Sequence, residues 1–509
     1  MHNFLFLRSF LFLSFSLLAQ SKAPNILFIM SDDHSAASIG VYATTLKDYV
    51  HTPNIDRIAR EGAIFNNVHC VNALCAPSRA TILTGKYSHK TGVYTLREKI
   101  NTKGAVVTVP KLLHKQGYQT AVFGKWHIHG DNLYGFDDYA ITTAQGSYLN
   151  PSFQTPSGTK LKTKGYATDV HTQLSIDWLQ QRDKDKPFYL MTHYKAAHAP
   201  WEYAKRHAAL YENDTLPVPQ TLNDNYLNRT KGGVATHQSR LHNPQNLKMS
   251  LSTWFQKGKK GVSGTWPTGN SSFSGLNDDQ KLAATYQKYI KDYLRVVAGI
   301  DEGVGKLLDY LEAEGILDNT VVIYTSDQGM FLGEHGFFDK RLGLNEATKM
   351  PFLMRYPKKI KAGTEVQKLI NNVDFAETLV DIGGATIPKE MQGYSFWNLS
   401  QDPQDKNWPR KQSIYTFYSN GTPKHYGLIT EKYKYLQYMG KKGGLQGVDL
   451  FDRTSDSLEL KSVADSPSYK AIRTQLELAL LEEMKRIDLP RELLPGNMQS
   501  KKKKIKSKL

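Results

Sequence analysis

Cysteine is nearly absent from this chain. Its 509 residues hold two, Cys70 and Cys75, so at most one disulfide can form and no disulfide framework carries the fold. Long apolar runs are missing too, with one exception. Met1 to Gln20 contains Arg8 and an apolar run from Phe10 to Ala19. That run is too short for a transmembrane anchor and reads as a secretory signal peptide (1–20), with cleavage between Ala19 and Ala23. No cysteine near that point supports a lipoprotein anchor, and no membrane span is expected elsewhere. The mature protein is therefore expected in the periplasm or the medium. Acidic charge is also in short supply: 48 Asp and Glu face 65 Lys and Arg, a net charge of +17. Such an excess suits a polyanionic partner, and export favours a polysaccharide over nucleic acid or lipid. Part of the charge sits in residues 494–509, which read as a solvated, disordered basic tail. No internal repeat occurs.

What is present centres on Cys75-Ala76-Pro77-Ser78-Arg79, continued by Thr84-Gly85. Pro77 fixes φ and cannot continue a strand, so a helix is expected to start at Pro77 or Ser78. Free N–H groups at a helix start attract anions, which sets Cys75 and Arg79 beside an anionic group. Upstream, Asn25 to Ser31 is a continuous apolar run, the pattern of a buried parallel strand, and it ends in Asp32-Asp33. Ligands collect at such strand ends, and two adjacent carboxylates there repel unless a cation joins them. Asn319 to Ser326 repeats the pattern and ends in Asp327-Gln328. All four side chains offer oxygen, which favours calcium first and magnesium second.

These strings resemble the type I, formylglycine-dependent sulfatases of the alkaline-phosphatase-like superfamily, whose signature is Cys-x-Pro-Ser-Arg followed by Thr-Gly. Cys75, Pro77, Ser78, Arg79, Thr84 and Gly85 match it; Ile82 stands where leucine is usual. Gly124-Lys125-Trp126-His127 matches a second family string after a strand. His198-Ala199-Pro200 matches the His-x-Pro element, with Ala197 in place of the usual preceding proline. Lys340 falls in the phase of a sulfate-contacting lysine, and His335 lies in a Gly-Glu-His-Gly string. After Arg341, Leu342-Gly343-Leu344-Asn345-Glu346 replaces the aromatic-rich string of many members.

The resemblance implies that a separate maturase oxidises Cys75 to formylglycine, whose hydrated aldehyde attacks sulfur. It implies Asp32, Asp33, Asp327 and Gln328 as metal ligands, and Arg79 and the cation as holders of the nucleophile. Lys125 and Lys340 would bind sulfate, His198 would be the general acid with Lys340 beside it, and His127 would act on the nucleophile's hydroxyls. Lys125, His198, His335 and Lys340 form the expected substrate-binding set. A Cys70–Cys75 bridge would consume the nucleophile, so Cys70 is read as a small buried apolar residue. The expected activity is hydrolysis of sulfate monoesters on a sulfated polysaccharide or its oligosaccharides, an algal polymer such as ulvan or carrageenan first, glycosaminoglycan or mucin glycan next. The alternatives are a phosphonate or phosphodiester hydrolase of the same superfamily and a catalytically silent binder of anionic glycans.

The expected fold is α/β, a large and mostly parallel sheet between helices (23–387) followed by a smaller antiparallel α+β subdomain (388–493). Helices are expected from Thr52 to Gly62, Thr108 to Gly117, Thr168 to Arg182 (with Val170, Leu174 and Trp178 inward), Asn277 to Gly315 and Val373 to Ile382. Further strands are expected over Ala63 to His69, Tyr118 to Phe123, Pro187 to His193 and Met350 to Tyr356. Tyr203 to Leu276 lacks periodicity and reads as an insertion shaping the substrate cleft, where Trp201, Trp254 and Trp266 could stack on sugars. The C-terminal part shows strand runs at Ser413 to Tyr418, Tyr426 to Thr430 and Tyr433 to Met439, then a helix from Tyr469 to Ile487.

Overall fold

The computed structural model describes residues 23–101, 106–129, 133–241, 275–418, 422–440, 443–490 and 493. The signal peptide, the basic tail, Trp254 and Trp266 lie outside the described residues. Among the described residues no helix is long and apolar enough to cross a membrane.

The first twelve strands are β1 (Asn25–Ser31), β2 (Ala63–Phe65), β3 (Val68–His69), β4 (Gln119–Lys125), β5 (Asp138–Thr142), β6 (Ser152–Gln154), β7 (Lys160–Lys162), β8 (Phe188–His193), β9 (Thr320–Ser326), β10 (Phe352–Arg355), β11 (Thr364–Val366) and β12 (Ile370–Asn371). Ten of them form one sheet in the order β11-β2-β10-β9-β1-β8-β4-β5-β6-β7. Its centre, β9-β1-β8-β4-β5, is parallel; β10 and β6 run against it at the two flanks, and β7 pairs antiparallel with β6. The helices are α1 (Pro53–Arg60), α2 (Cys75–Thr84), α3 (Ser88–Thr91), α4 (Val109–Lys115), α5 (Ala167–Gln181), α6 (Asp278–Ala313), α7 (Asn345–Thr348), α8 (Asp374–Ile382) and α9 (Lys470–Arg486).

β1 is apolar without alternation because both of its faces are covered. Ile26, Phe28 and Met30 join a core with α2, α4 and α8 on one side. Leu27 and Ile29 join a second core with α1 and α6 on the other. α6 opens with a reciprocal capping box between Asn277 and Gln280. Its Asp301 accepts from the backbone N–H groups of Asn54 at 3.0 Å and Ile55 at 2.8 Å, so a carboxylate of one helix satisfies the first turn of another.

Four expectations need correction. Ala63 to His69 is not one strand: β2 joins the large sheet and β3 pairs with β12. α2 begins at Cys75 rather than Pro77, because a proline in the first turn forfeits no helical hydrogen bond; Ser78 N–H already donates to Leu74 C=O at 3.0 Å. The inward face of α5 is Thr168, His171, Thr172, Ser175 and Leu179, while Val170, Leu174 and Trp178 are only partly buried. Trp201 is fully buried against Tyr289 and Phe338 and offers no sugar platform.

The C-terminal part is an antiparallel sheet of β13 (Ser413–Phe417), β14 (His425–Ile429), β15 (Tyr433–Met439) and β16 (Leu445–Asp452), in that order. Leu476, Leu480 and Met484 of α9 pack against its Ile414, Leu428 and Leu450. β16 was not foreseen from the sequence.

Candidate active site

Register decides where the carboxylates fall. β1 and β9 pair in parallel with Ser31 opposite Ser326, so Asp32-Asp33 and Asp327-Gln328 leave the sheet side by side at its carboxyl edge. Asp33 N–H donates to Asp327 Oδ1 at 3.1 Å and takes a left-handed φ of 61° to do so. Ligand atoms of Asp32, Asp33 and Asp327 all lie within 4.8 Å of one another, and all three residues are buried. β4 ends in Lys125, and the loop after β8 brings His198.

α2 enters this edge by its N-terminus. Ser78 Oγ donates to the Asp327 carbonyl and accepts from Asn372 at 2.8 Å. Arg79 donates to Asp327 Oδ2 at 2.8 Å and to the Lys125 carbonyl at 2.6 Å, so one guanidinium ties α2, β9 and β4 together. Cys75 Sγ then lies 4.0 Å from Asp33 Oδ1 and 3.9 Å from Gln328 Nε2. Cys70 is a free, buried thiol against the Ala347 carbonyl, and no disulfide joins it to Cys75.

Two ammonium groups close the cluster. Lys125 binds Asp32, and Lys340 reaches Asp33 Oδ2 at 2.5 Å. His198 Nε2 stands 3.8 Å from the same Asp33 oxygen, while its Nδ1 meets the Ala199 carbonyl at 2.7 Å. His198 is 17% exposed, against 3% or less for the side chains of Lys125 and Lys340, and so marks the open side of the cluster. His127, at φ 55°, leaves its buried Nδ1 without a hydrogen-bond partner.

Charges here are set by burial against close partners. Burial pushes the Asp327 carboxyl up to about 7, with Asp32 adding to it and Arg79 opposing. Burial likewise raises Asp33. For Asp32 burial acts upward, but Lys125, then His198, Arg79 and Lys340, hold the carboxyl well below its usual range. Burial, with Lys125 beside it, pushes the His127 imidazole down to about 2, and it lowers His198 in the same way. Burial and then Asp32 drive the Cys75 thiol far up, which disfavours the thiolate.

Three buried carboxylates at this spacing repel one another, and Arg79, Lys125 and Lys340 balance them one for one. Asp32 Oδ1 and Gln328 Oε1 are buried without a hydrogen-bond partner. An all-oxygen set with free acceptors fits a hard divalent cation.

Comparisons with known proteins give the family. The sulfatase family model matches residues 24–385, and the model for the C-terminal part of N-sulphoglucosamine sulphohydrolase matches residues 333–486. The chain belongs to the sulfatase family. A sulfatase is a sulfuric ester hydrolase, and the sheet described above is the alkaline-phosphatase-like fold. An N-acetylglucosamine-6-O-sulfatase of Bacteroides thetaiotaomicron is 38% identical over 91% of this chain and 86% of its own length. A solved structure in complex with its substrate D-glucosamine-2-N,6-O-disulfate superposes with a TM-score of 0.83 at 35% identity, over 93% of this chain and 99% of that one. An ulvan-active sulfatase of Formosa agariphila is 23% identical over 91% of this chain and 81% of its own length.

Of the residues singled out from the sequence, Asp32, Asp33, Cys75, Arg79, Lys125, His198, Asp327, Gln328 and Lys340 come together in this one cluster. His335 is held elsewhere. It is fully buried, with Nδ1 on Asp224 at 2.8 Å and Nε2 3.8 Å from Glu346. Sequence reasoning missed Gln145, whose Oε1 accepts from Lys125 at 2.6 Å. It also missed Asp339 and Arg341, joined at 2.8 Å on either side of Lys340. No periodic or motif signal marks Gln145, since it lies in an irregular loop between β5 and β6.

Proposed function

We propose that this sulfatase removes the 6-O-sulfate from N-acetylglucosamine-type units of a sulfated glycan, outside the cytoplasm. The observation that carries the reading is the 38% identity to an N-acetylglucosamine-6-O-sulfatase across almost the whole chain. It moves the expected substrate from an algal polymer to an amino sugar, with the ulvan-active relative at 23% keeping the algal polymer second. The apolar run at residues 10–19 and the charge of +17 support export and a polyanionic substrate.

Formylglycine made from Cys75 by a maturase would supply a hydrated aldehyde as nucleophile, and a calcium ion, with magnesium second, would add positive charge beside the sulfate. Burial disfavours the Cys75 thiolate in the folded protein, so an unconverted thiol is a poor nucleophile there. Asp32, Asp33, Asp327 and Gln328 are the residues that would hold the cation. Arg79 orients Asp327 and the start of α2. Lys125 and Lys340 stabilise the sulfate oxygens as charge shifts toward the leaving group. His198 Nε2, at the open side, faces the departing sugar oxygen and protonates it once the anionic substrate offsets the burial and the Lys125 charge that keep the imidazole neutral in its absence. His127, kept neutral by burial, accepts a proton from the nucleophile's hydroxyls. His335, buried against Asp224 and Glu346, is given no direct contact with substrate.

The test is sulfate release, from protein co-expressed with a maturase, on N-acetylglucosamine 6-sulfate, its 3-sulfate isomer, galactose 6-sulfate, ulvan oligosaccharides and a phosphonate monoester. Turnover concentrated on the first, and lost in Cys75→Ala with the fold intact, is expected. Preference for ulvan or the phosphonate, or activity that survives in Cys75→Ala, would overturn the proposal. Binding to the glycans without any turnover by aldehyde-bearing protein would point to the silent binder.

A further inference from the structure

The loop that presents His198 also carries a buried cation that no carboxylate reaches at ion-pair distance among the described residues, although Glu202 of the same loop attracts it from farther off. Lys195 follows the end of β8 by two residues and is 3% exposed. Lys125 and Lys340, equally buried, each grip a carboxylate. Among the described residues the Lys195 ammonium has neither a hydrogen-bond acceptor nor a carboxylate at ion-pair distance. Its close neighbour is the face of Tyr148, with the ring centroid 4.8 Å from Nζ. A cation–π contact offsets only part of the desolvation of a buried ammonium. Burial, with Lys125 next, pushes this ammonium down to about 8.

The surroundings tie Lys195 to the reaction site. The Ala196 carbonyl, one residue on, accepts from Asp32 N–H at 2.9 Å, and His198 N–H donates to the Lys195 carbonyl at 3.1 Å. Tyr148 OH donates to the His198 carbonyl at 2.5 Å. Three residues before Tyr148, Gln145 touches Lys125. Lys195, Tyr148 and Gln145 thus make one wall, running from the sulfate-binding lysine to the proton donor. None of the roles assigned above uses Lys195.

We propose that Lys195 is a specificity-determining residue that receives a second anionic substituent of the substrate, a sulfate or a carboxylate, borne by the sugar that loses its 6-O-sulfate or by its neighbour. A cation whose nearest attracting carboxylates, Glu202 among them, stay beyond ion-pair distance rewards such a group and gives a neutral one nothing. The inference rests on the 6-O-sulfatase reading and narrows it to multiply charged glycans.

The experiment compares kcat/KM on three substrates: N-acetylglucosamine 6-sulfate, glucosamine 2-N,6-O-disulfate, and N-acetylglucosamine 6-sulfate linked to a uronic acid. Lys195→Met is expected to lower the ratio of a doubly charged substrate to the singly charged one by about 10- to 100-fold, the size of a lost charge-assisted hydrogen bond. Lys195→Arg is expected to restore much of it. Loss on the disulfate names sulfate as the second group, and loss on the uronate names carboxylate. An equal loss on all three, or on none, would overturn the proposal. Should Lys195→Met fail to fold, Lys195→Gln replaces it. Should that fail too, the wild-type ratio decides: above one supports the assignment, and one or less overturns it. Wild type inert on all three but active on another sulfate ester overturns the 6-O reading alone, and Lys195 is then tested on that ester with and without a second charge.

Discussion

Replacing Arg79 by methionine leaves Asp327 buried without its closest cation. The pair is 2.8 Å apart and neither side chain exceeds 1% exposure. At that distance the attraction is about 6 kcal/mol for an effective dielectric of about 20. Desolvation offsets part of it, so the loss expected from the single substitution is about 3–5 kcal/mol. Asp327→Asn strands the guanidinium less severely, because Arg79 keeps the Lys125 carbonyl at 2.6 Å and Asp32 at 3.6 Å. The double variant should therefore be more stable than the sum of the singles predicts, by about 2–3 kcal/mol. Urea unfolding in chelator isolates this from metal binding. The Arg79→Met deficit should also widen as pH rises. Asp327 is already held up to about 7 by burial and then Asp32, and losing Arg79 raises it further. The folded state then holds a proton that the unfolded state has released, and rising pH removes it. Single-variant losses that add to within about 0.5 kcal/mol, or a deficit that does not change with pH, would refute the reasoning. Activity should stay absent in the double variant, since recovered stability does not restore the orientation of the site.

Calcium at 100 times its Kd should stabilise the wild type by about 2.7 kcal/mol and raise Tm. Asp32→Asn should erase that rise, and a Tm indifferent to calcium and magnesium would contradict the cation reading. His171→Leu tests a buried histidine whose two ring nitrogens both lack hydrogen-bond partners. Burial, with Lys195 adding to it, pushes its imidazole down to about 3. Below pH 6.5 the unfolded state therefore takes up a proton that the folded state refuses until about pH 3, and stability falls across that window. The variant should gain about 2 kcal/mol on the wild type between pH 7.5 and 5, read by denaturant unfolding at each pH; no gain would contradict it.

The reaction site was legible where chemistry coincides with strand ends. Asp32-Asp33 and Asp327-Gln328 each follow a fully buried, mostly apolar strand, and parallel pairing of two such strands leaves those residues one place to go. Phase was harder to read than existence. α5 turns hydroxyls inward because β8 and the loop after it offer partners: Ser175 meets Thr192 at 2.8 Å and Thr172 meets Tyr194 at 2.9 Å. A pattern of apolar spacing cannot register hydroxyls satisfied across elements. Ala63 to His69 looked like a single strand because its halves are both apolar, although they serve different sheets. Gln145 and Lys195 carry no local signature, and their interest appears only when distant loops are folded against Lys125.

Cys75 is 1% exposed, and the whole of α2 around it is buried. An enzyme that modifies its side chain has no path to it once the sheet and the helix have docked. On the formylglycine proposal, conversion is thus a matter of timing: the residue could be changed only while this stretch is still an extended chain, and folding would close the window. A population made too fast for its maturase would hold two species of nearly identical shape, one finished and one locked out for good. Measured specific activity would then record the outcome of a race during synthesis as much as the quality of the site.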